Sequence, residues 1–298
     1  MICYFCCEKI EKNEKVAEGL HVACFTKWFG VDPQKFSNLV ARSPVSVAGE
    51  FEKVASSFFH GKFRKYSANL GGREFILKVR QEELPELPAM EYLCNQIARA
   101  LKLKIPNFYF IRLEGKLATF VVDNFMQDYP GGNLVHIYRY LKKPEQFTCK
   151  GLIDVIEKVI GRRTDIEHFV ELCLFDALIG NHDRHGRNMG IIESSDEITL
   201  APFYDNPSYI GLEIPELLLA YHEPRGAIPT SQSKEPTMKD YVMEFQKLGF
   251  DKAINRFKSK IMMDEIESLI SDSFICEERQ QALLRLIKRR YQELIDAS

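Results

Sequence analysis

The chain has 298 residues, with 40 lysines and arginines against 42 aspartates and glutamates, for a formal charge of −2. That balance removes the polyelectrolyte argument for nucleic acid as a direct partner. No apolar run reaches the ~18–20 residues that span a bilayer, and Cys3, Cys6 and Cys7 interrupt any leader-like start, so no membrane role is expected. The length suits two lobes, since one core usually stops growing at about 250–300 residues.

Four of the eight cysteines fall in the first 24 residues. The clustering predicts a reducing, cytoplasmic setting and a local metal site rather than a disulfide framework. Cys3-x2-Cys6 is followed after fourteen residues by His21-x2-Cys24. Two such ligand pairs suit a tetrahedral Zn²⁺, and a full set of four leaves no open position for catalysis, so the site would be structural. The same residues would also serve as buried, unliganded cysteines in a hairpin. Cys7 competes with Cys6 as a ligand. Residues 24–29 read as a short helix carrying Trp28 and Phe29 into a core.

From Ser43 small residues lie between apolar flanks, followed by a strand-like stretch over 54–59. This is either an ordinary hairpin or a turn whose N–H groups approach phosphates. A second hairpin runs through Gly71-Gly72 into residues 74–79. Alternation puts Lys78 on the face of Glu74 and Ile76, opposite Phe75, Leu77 and Val79. A lysine there is either a solvated edge residue or a phosphate clamp.

The spacing of Met90, Leu93, Cys94, Ile97, Ala98 and Leu101 predicts a helix over 88–103, with Glu91 in its first turn. Strands over 107–113 and 117–122 lead into Asp123-Asn124-Phe125, and Pro130-Gly131-Gly132 marks a loop beyond. Helices are expected over 152–160 and 166–179. The second delivers a dense polar loop, Asn181-His182-Asp183-Arg184-His185-Gly186-Arg187-Asn188. Asp183 and Asn188 are five apart, the spacing of base and metal ligand in D-x-x-x-x-N phosphoryl-transfer loops. Arg184 and Arg187 either neutralise phosphate or are solvated. Residues 199–204 read as a strand ending at Asp205, whose carboxylate would reach the same metal. Residues 211–237, rich in proline, read as a functional loop or a partly mobile one, and a last amphipathic helix is expected over 278–295.

Small-residue turn, strand lysine, helix glutamate, hinge, D-x-x-x-x-N and strand-end aspartate follow one another in protein-kinase order. The pattern Asn181-x-Asp183-x-His185-x-x-Asn188, followed by Pro202-Phe203-Tyr204-Asp205, resembles the HipA family of serine/threonine kinase toxins. Ser46-Val47-Ala48-Gly49-Glu50-Phe51-Glu52-Lys53 resembles that family's phosphate loop.

The resemblance, over roughly 43–298, implies an α+β, bilobal protein-kinase-like fold: a small β-rich N-lobe over 41–127 and a mostly helical C-lobe over 128–298. The cysteine-rich, zinc-binding-type hairpin over 1–40 precedes it. The resemblance also implies ATP and Mg²⁺ as cofactors. Asp183 would be the catalytic base, and Asn188 and Asp205 the Mg²⁺ ligands. Lys78 would contact the α- and β-phosphates, supported by Glu91. Val47, Ala48 and Gly49 would cradle phosphate, Asp123 and Phe125 would offer hinge backbone groups to adenine, and His185 would shape the loop or touch phosphate. Ser46 would be the autophosphorylation site.

The cysteine-rich start replaces the extra N-terminal subdomain of full-length relatives and is similar to the short HipT-type kinases, where that part is a separate small protein. The implied partners are that protein, a DNA-binding antitoxin and a protein substrate such as an aminoacyl-tRNA synthetase, in a bacterial cytoplasm. Glu50-Phe51 stands where the family's phosphate loop carries glutamine. Its added negative charge favours a second reading, a non-catalytic nucleotide-binding regulator (a pseudokinase). A third is a metal-dependent phosphohydrolase using His182, Asp183 and His185.

Overall fold

Gly19, at φ 79°, lets the chain reverse between two short strands, β1 (Val16–Ala17) and β2 (Leu20–His21), in a computed structural model that describes residues 1–42, 65–212 and 223–297. Helix α1 (Val22–Phe29) follows and stops at Gly30, whose left-handed φ of 71° closes it. The chain forms two units, one of Met1–Tyr92 with Pro106–Asp128, the other of Leu93–Ile105 with Tyr129 onward.

The first unit is built on five antiparallel strands, β3 (Ser37–Arg42), β4 (Lys65–Leu70), β5 (Arg73–Val79), β6 (Phe108–Leu113) and β7 (Leu117–Asp123), in the order β3-β4-β5-β7-β6. On one face Ala68, Leu70, Phe75, Leu77, Val79, Ile111, Leu113 and Val121 share a core with Cys3, Ile10, Leu20, Phe25, Phe29 and Phe36. The N-terminal segment therefore covers a sheet face that would otherwise meet water, and each buried Leu or Phe contributes roughly 1.5–3 kcal/mol. Phe29 is buried as the sequence suggests, whereas Trp28 is half-buried, edge-on to Phe5 and Tyr109. From Phe75 onward β5 is buried on both faces.

Helix α2 (Leu87–Ala100) starts one residue ahead of the expected 88. Proline is tolerated in a first turn, where its missing N–H has no partner to lose. Glu91 consequently lies beyond the first turn, which holds no acid, and its carboxylate is buried rather than serving the helix dipole. The helix ends three residues short of 103, just ahead of Lys102 in a left-handed conformation.

The second unit carries strand β8 (Asn133–His136), helices α3 (Cys149–Val159) and α4 (Arg163–Ile179), strands β9 (Gly190–Glu193) and β10 (Ile198–Leu200), and helices α5 (Met238–Lys247), α6 (Asp251–Lys260), α7 (Met263–Ser271) and α8 (Glu277–Ala297). Helix α4 is its axis, touching α3, α5, α6 and α8. It buries residues all round, Asp165, Glu171 and Asp176 included, so each of these acids has to be matched from a neighbouring element. The three strands pair in the order β10-β9-β8.

The strand expected over 199–204 stops at Leu200. Pro202 has no N–H for a ladder, and the groups around it bond singly, Ala201 N–H to Gly190 O and Phe203 N–H to Lys104 O. Thr148 and Thr237 cap α3 and α5 by accepting the Gly151 and Asp240 N–H groups. Part of the expected loop over 211–237 lies outside the described residues. Among the described residues no helix is long and apolar enough to cross a membrane.

Candidate functional site

The polar loop is assembled from the end of α4. Gly180 closes that helix in the left-handed region at φ 73°, and a Cβ there would come within 2.7 Å of Leu286 Cδ2. Asn181 accepts the Asp183 N–H on Oδ1 and donates through Nδ2 to Asp176 Oδ1. Asn188 sits on β9's doorstep and donates through Nδ2 to the Asp183 carbonyl at 2.9 Å, which ties the two ends of the loop together. Spending the amide N–H on that carbonyl leaves Oδ1 as the donor atom Asn188 can offer a cation. Asp183 accepts a hydrogen bond on Oδ2 from the Tyr209 hydroxyl at 2.9 Å. Asp205 is held at φ 55°, in the left-handed region, and its carbonyl accepts from Asn181 Nδ2.

Arg184 corrects the sequence reading. It is neither solvated nor available to phosphate, being 1% exposed with its donors committed inside the protein. Nε and Nη2 fork onto Asp176 at 2.7 and 2.9 Å, Nη1 donates to the Asn188 and Tyr204 carbonyls, and Nη2 also reaches Asn206 Oδ1. A guanidinium has five N–H donors, and all five are used. Burial pushes the Asp176 carboxyl up, and the Arg184 guanidinium and Asn181 amide oppose that shift. With two charge-assisted bonds from one fork, we take the pair as ionised. Asn206 passes the network on to Asn95.

The remaining loop side chains are peripheral. His185 is exposed and accepts the Arg187 N–H on Nδ1, so it shapes the loop. Arg187 is exposed, within 6.0 Å of the Tyr138 ring. His182 packs against the Tyr209 ring at 4.6 Å. Among the described residues, His182, Asp183 and His185 do not form a converging group of metal-ligand atoms.

In the first unit Lys78 is 5% exposed, and its Nζ lies 2.5 Å from Glu91 Oε1. It is therefore not a solvated edge residue. Lys65 stands directly across the β4–β5 ladder from Lys78 and is buried as well. Like charges directly opposite destabilise a ladder, so two buried lysines on one sheet face mark a place with a use for positive charge. The sequence gives a signal for Lys65 only after the strand register is known.

Asp123, expected at the hinge, is tied to its neighbours in the first unit. Its N–H is committed to the Asn107 carbonyl, and its Oδ2 accepts from Arg73 Nη2 at 2.8 Å and Asn107 Nδ2 at 3.0 Å. Burial raises the Asp123 carboxyl against those donors. Phe125 is buried and opens a short 3₁₀ turn, Phe125–Asp128. The phosphate-loop residues Ser46, Val47, Ala48, Gly49, Glu50 and Phe51 lie outside the described residues.

At the N-terminus the ligand atoms of Cys3, Cys6, His21 and Cys24 all lie within 4.8 Å of one another. Burial works against a Cys3 thiolate, but backbone N–H groups of Cys6, His21 and Phe5 prevail and lower it to about 7. None of the eight cysteines is in a disulfide.

Two solved structures share this fold. One is the crystal structure of the Helicobacter pylori proinflammatory kinase CtkA, with TM-score 0.64 at 19% identity over 78% of this chain and 92% of that one. The other is a chain of the Shewanella oneidensis MR-1 toxin-antitoxin complex of HipA, HipB and operator DNA, with TM-score 0.57 at 14% identity over 85% of this chain and 67% of that one. The architecture is thus the kinase-like α+β fold of those proteins, here with a cysteine-histidine cluster at its N-terminus. Residues 45–272 match the profile of the HipA-like C-terminal domain, and the chain belongs to that family. A curated relative, the serine/threonine-protein kinase CtkA of Helicobacter pylori strain J99, is 22% identical over 235 residues, covering 70% of this chain and 71% of the relative.

Proposed function

We propose that the chain is an ATP- and Mg²⁺-dependent serine/threonine protein kinase of HipA type. The observation that carries this is the buried Lys78–Glu91 pair with Lys65 across the ladder. Replacing a buried ion pair by apolar residues is often neutral or stabilising, so such a pair is weak evidence for a stability role and better explained by chemistry. In kinases a strand lysine held by a helix glutamate is the part that meets the nucleotide's phosphates.

Asp183 orients and deprotonates the substrate hydroxyl, with Tyr209 fixing one carboxylate oxygen so that the other faces the substrate. Asn188 and Asp205 offer one amide and one carboxylate oxygen, the hard donors that Mg²⁺ accepts. The ion, when bound, supplies charge neutralisation at the phosphate oxygens. Lys78 holds the α- and β-phosphates, while Val47, Ala48 and Gly49 contribute backbone N–H groups and the hinge around Asp123 and Phe125 receives adenine. Arg184 keeps the loop in shape without touching substrate.

The role we assign is that of a toxin restrained by an antitoxin that binds DNA, together with a small separate partner protein. Its substrate is a protein of translation such as an aminoacyl-tRNA synthetase. Support comes from the family and from the HipA–HipB–operator complex that shares the fold. Ser46 is the site of self-modification. A phosphate there adds about −1.5 to −2 charges to the segment meant for ATP phosphates and opposes nucleotide binding.

The test is intact mass of dephosphorylated protein with and without ATP and Mg²⁺. Stepwise gain of phosphate mapping to Ser46 supports the reading. ATP binding with no gain, and no transfer to synthetases, would favour the nucleotide-binding regulator.

Two further results are expected. Lys78→Met takes the lysine cation away from the buried Glu91 carboxylate and lowers stability, whereas Lys78→Met with Glu91→Leu regains it, and neither variant retains ATP affinity by calorimetry. Tyr209→Phe removes one hydrogen bond to the base and lowers kcat about tenfold with the KM for ATP unchanged. A raised KM at constant kcat would assign Tyr209 to binding instead.

A further inference from the structure

The polar atoms of the N-terminal residues Cys3, Cys6, His21 and Cys24 converge, all within 4.8 Å of one another. Cys6 Sγ lies 3.4 Å and Cys24 Sγ 3.8 Å from His21 Nδ1. A tetrahedral site with zinc–sulfur and zinc–nitrogen bonds of ordinary length separates sulfur from nitrogen by about 3.5–3.8 Å. Cys3, fully buried, completes the set. Cys7 is excluded as a competitor: it is exposed, at φ 60°, in a turn closed by its own N–H to the Cys3 carbonyl.

The imidazole is also oriented. His21 Nε2 faces Glu14 Oε2 at 3.4 Å, and that same oxygen is fixed by the Glu11 N–H at 2.8 Å. A carboxylate on one ring nitrogen places the proton there and leaves the other nitrogen's lone pair for a metal.

We propose that Cys3, Cys6, His21 through Nδ1 and Cys24 bind one Zn²⁺, with Glu14 as the residue that positions His21, and that this ion ties the two ligand pairs of the N-terminal segment to each other, so that the segment meets the β-sheet of the first unit as one folded piece. Three thiolates and one imidazole are soft to borderline donors, and four of them close the coordination shell, so the ion is structural. The segment needs such a staple. Its regular structure amounts to two strands of two residues and one helix of eight. Folds below about 40 residues usually depend on metals, disulfides or association.

The segment is tied to β6 through residues that flank the ligand Cys3 and through Glu18. Arg112 donates its N–H to Glu18 O and Nη1 to Ile2 O, and its guanidinium lies 4.0 Å over the Tyr4 ring. The ion organises the segment, Arg112 bonds it to β6, and Leu20, Phe25 and Phe29 share a core with the sheet.

The test uses the full chain, purified under reducing conditions. Native mass spectrometry is expected to show one zinc per chain, and exchange with Co²⁺ to give the strong visible bands of a tetrahedral sulfur-nitrogen site. Cys7→Ser should leave both unchanged. Glu14→Gln, at a partly exposed side chain, should weaken zinc about 10–100-fold in competition with a chelator, while Glu8→Gln does not. Protein that carries no zinc and takes up none, or cobalt bands of an octahedral oxygen site, overturns the proposal. Glu14→Gln with wild-type affinity overturns the positioning role.

Discussion

Replacing Asp183 by asparagine is expected to lower phosphate transfer by about 10²–10⁴-fold, the usual contribution of a positioned general base. Asparagine keeps the shape of the side chain, and its Oδ1 can still accept the Tyr209 hydroxyl that now bonds Asp183 Oδ2. What it loses is the capacity to take a proton. Asp183 is also not one of the residues that fix the loop, since Arg184, Asn181 and Asn188 do that. ATP affinity and the melting temperature should therefore change little, and single-turnover kinetics beside calorimetry separates the effects. Transfer that survives the substitution would remove Asp183 from the chemistry and leave the kinase assignment without its base.

Arg184→Ala is the second large effect, and it is one of stability. The substitution deletes the five bonds of the guanidinium and strands the Asp176 carboxylate, which is 3% exposed, without its cation. Breaking a buried pair in this way costs about 3–5 kcal/mol. Arg184→Lys should recover little, because an ammonium cannot reproduce a fork that holds a carboxylate and three further oxygens at once. Arg187→Ala, three residues along and exposed, should stay within about 0.5 kcal/mol. Denaturant unfolding of the three variants makes the comparison, and equal loss at 184 and 187 would sink the account of the loop given above.

These two arginines show where sequence reading stops. Both are polar residues in a polar loop, and nothing in the loop itself separates the pin from the solvated neighbour. The signal lies upstream: Asp176 sits in the apolar stretch Leu172–Ile179 of a helix buried all round, and a carboxylate there demands a cation. The order of strand lysine, helix glutamate and D-x-x-x-x-N was readable because fixed spacings and short-range periodicity carry it. The burial of Lys78 was not, since alternation gives its face but says nothing of what covers that face. The expectation of a mostly helical C-lobe over 128–298 covers helices α5, α6 and α7 without placing them one by one. The strand over 199–204 was drawn too long because apolar residues after Pro202 look like a strand while bonding as single, irregular contacts. The paired spacing of Cys3, Cys6, His21 and Cys24 was legible, whereas Glu14 was one acid among several in an exposed turn.

The full use of Arg184's donors has a consequence for regulation. A loop held by a buried guanidinium with all five donors committed is strongly fixed, so it is a poor candidate for an on-off element. Elements that switch are drawn from the weakly held parts of a fold. Under the proposed kinase function, control then falls on what reaches the loop, the nucleotide and the protein substrate, and the proposed self-modification at Ser46 would act at that level. Inhibition would come from denying access to an assembly that is always ready.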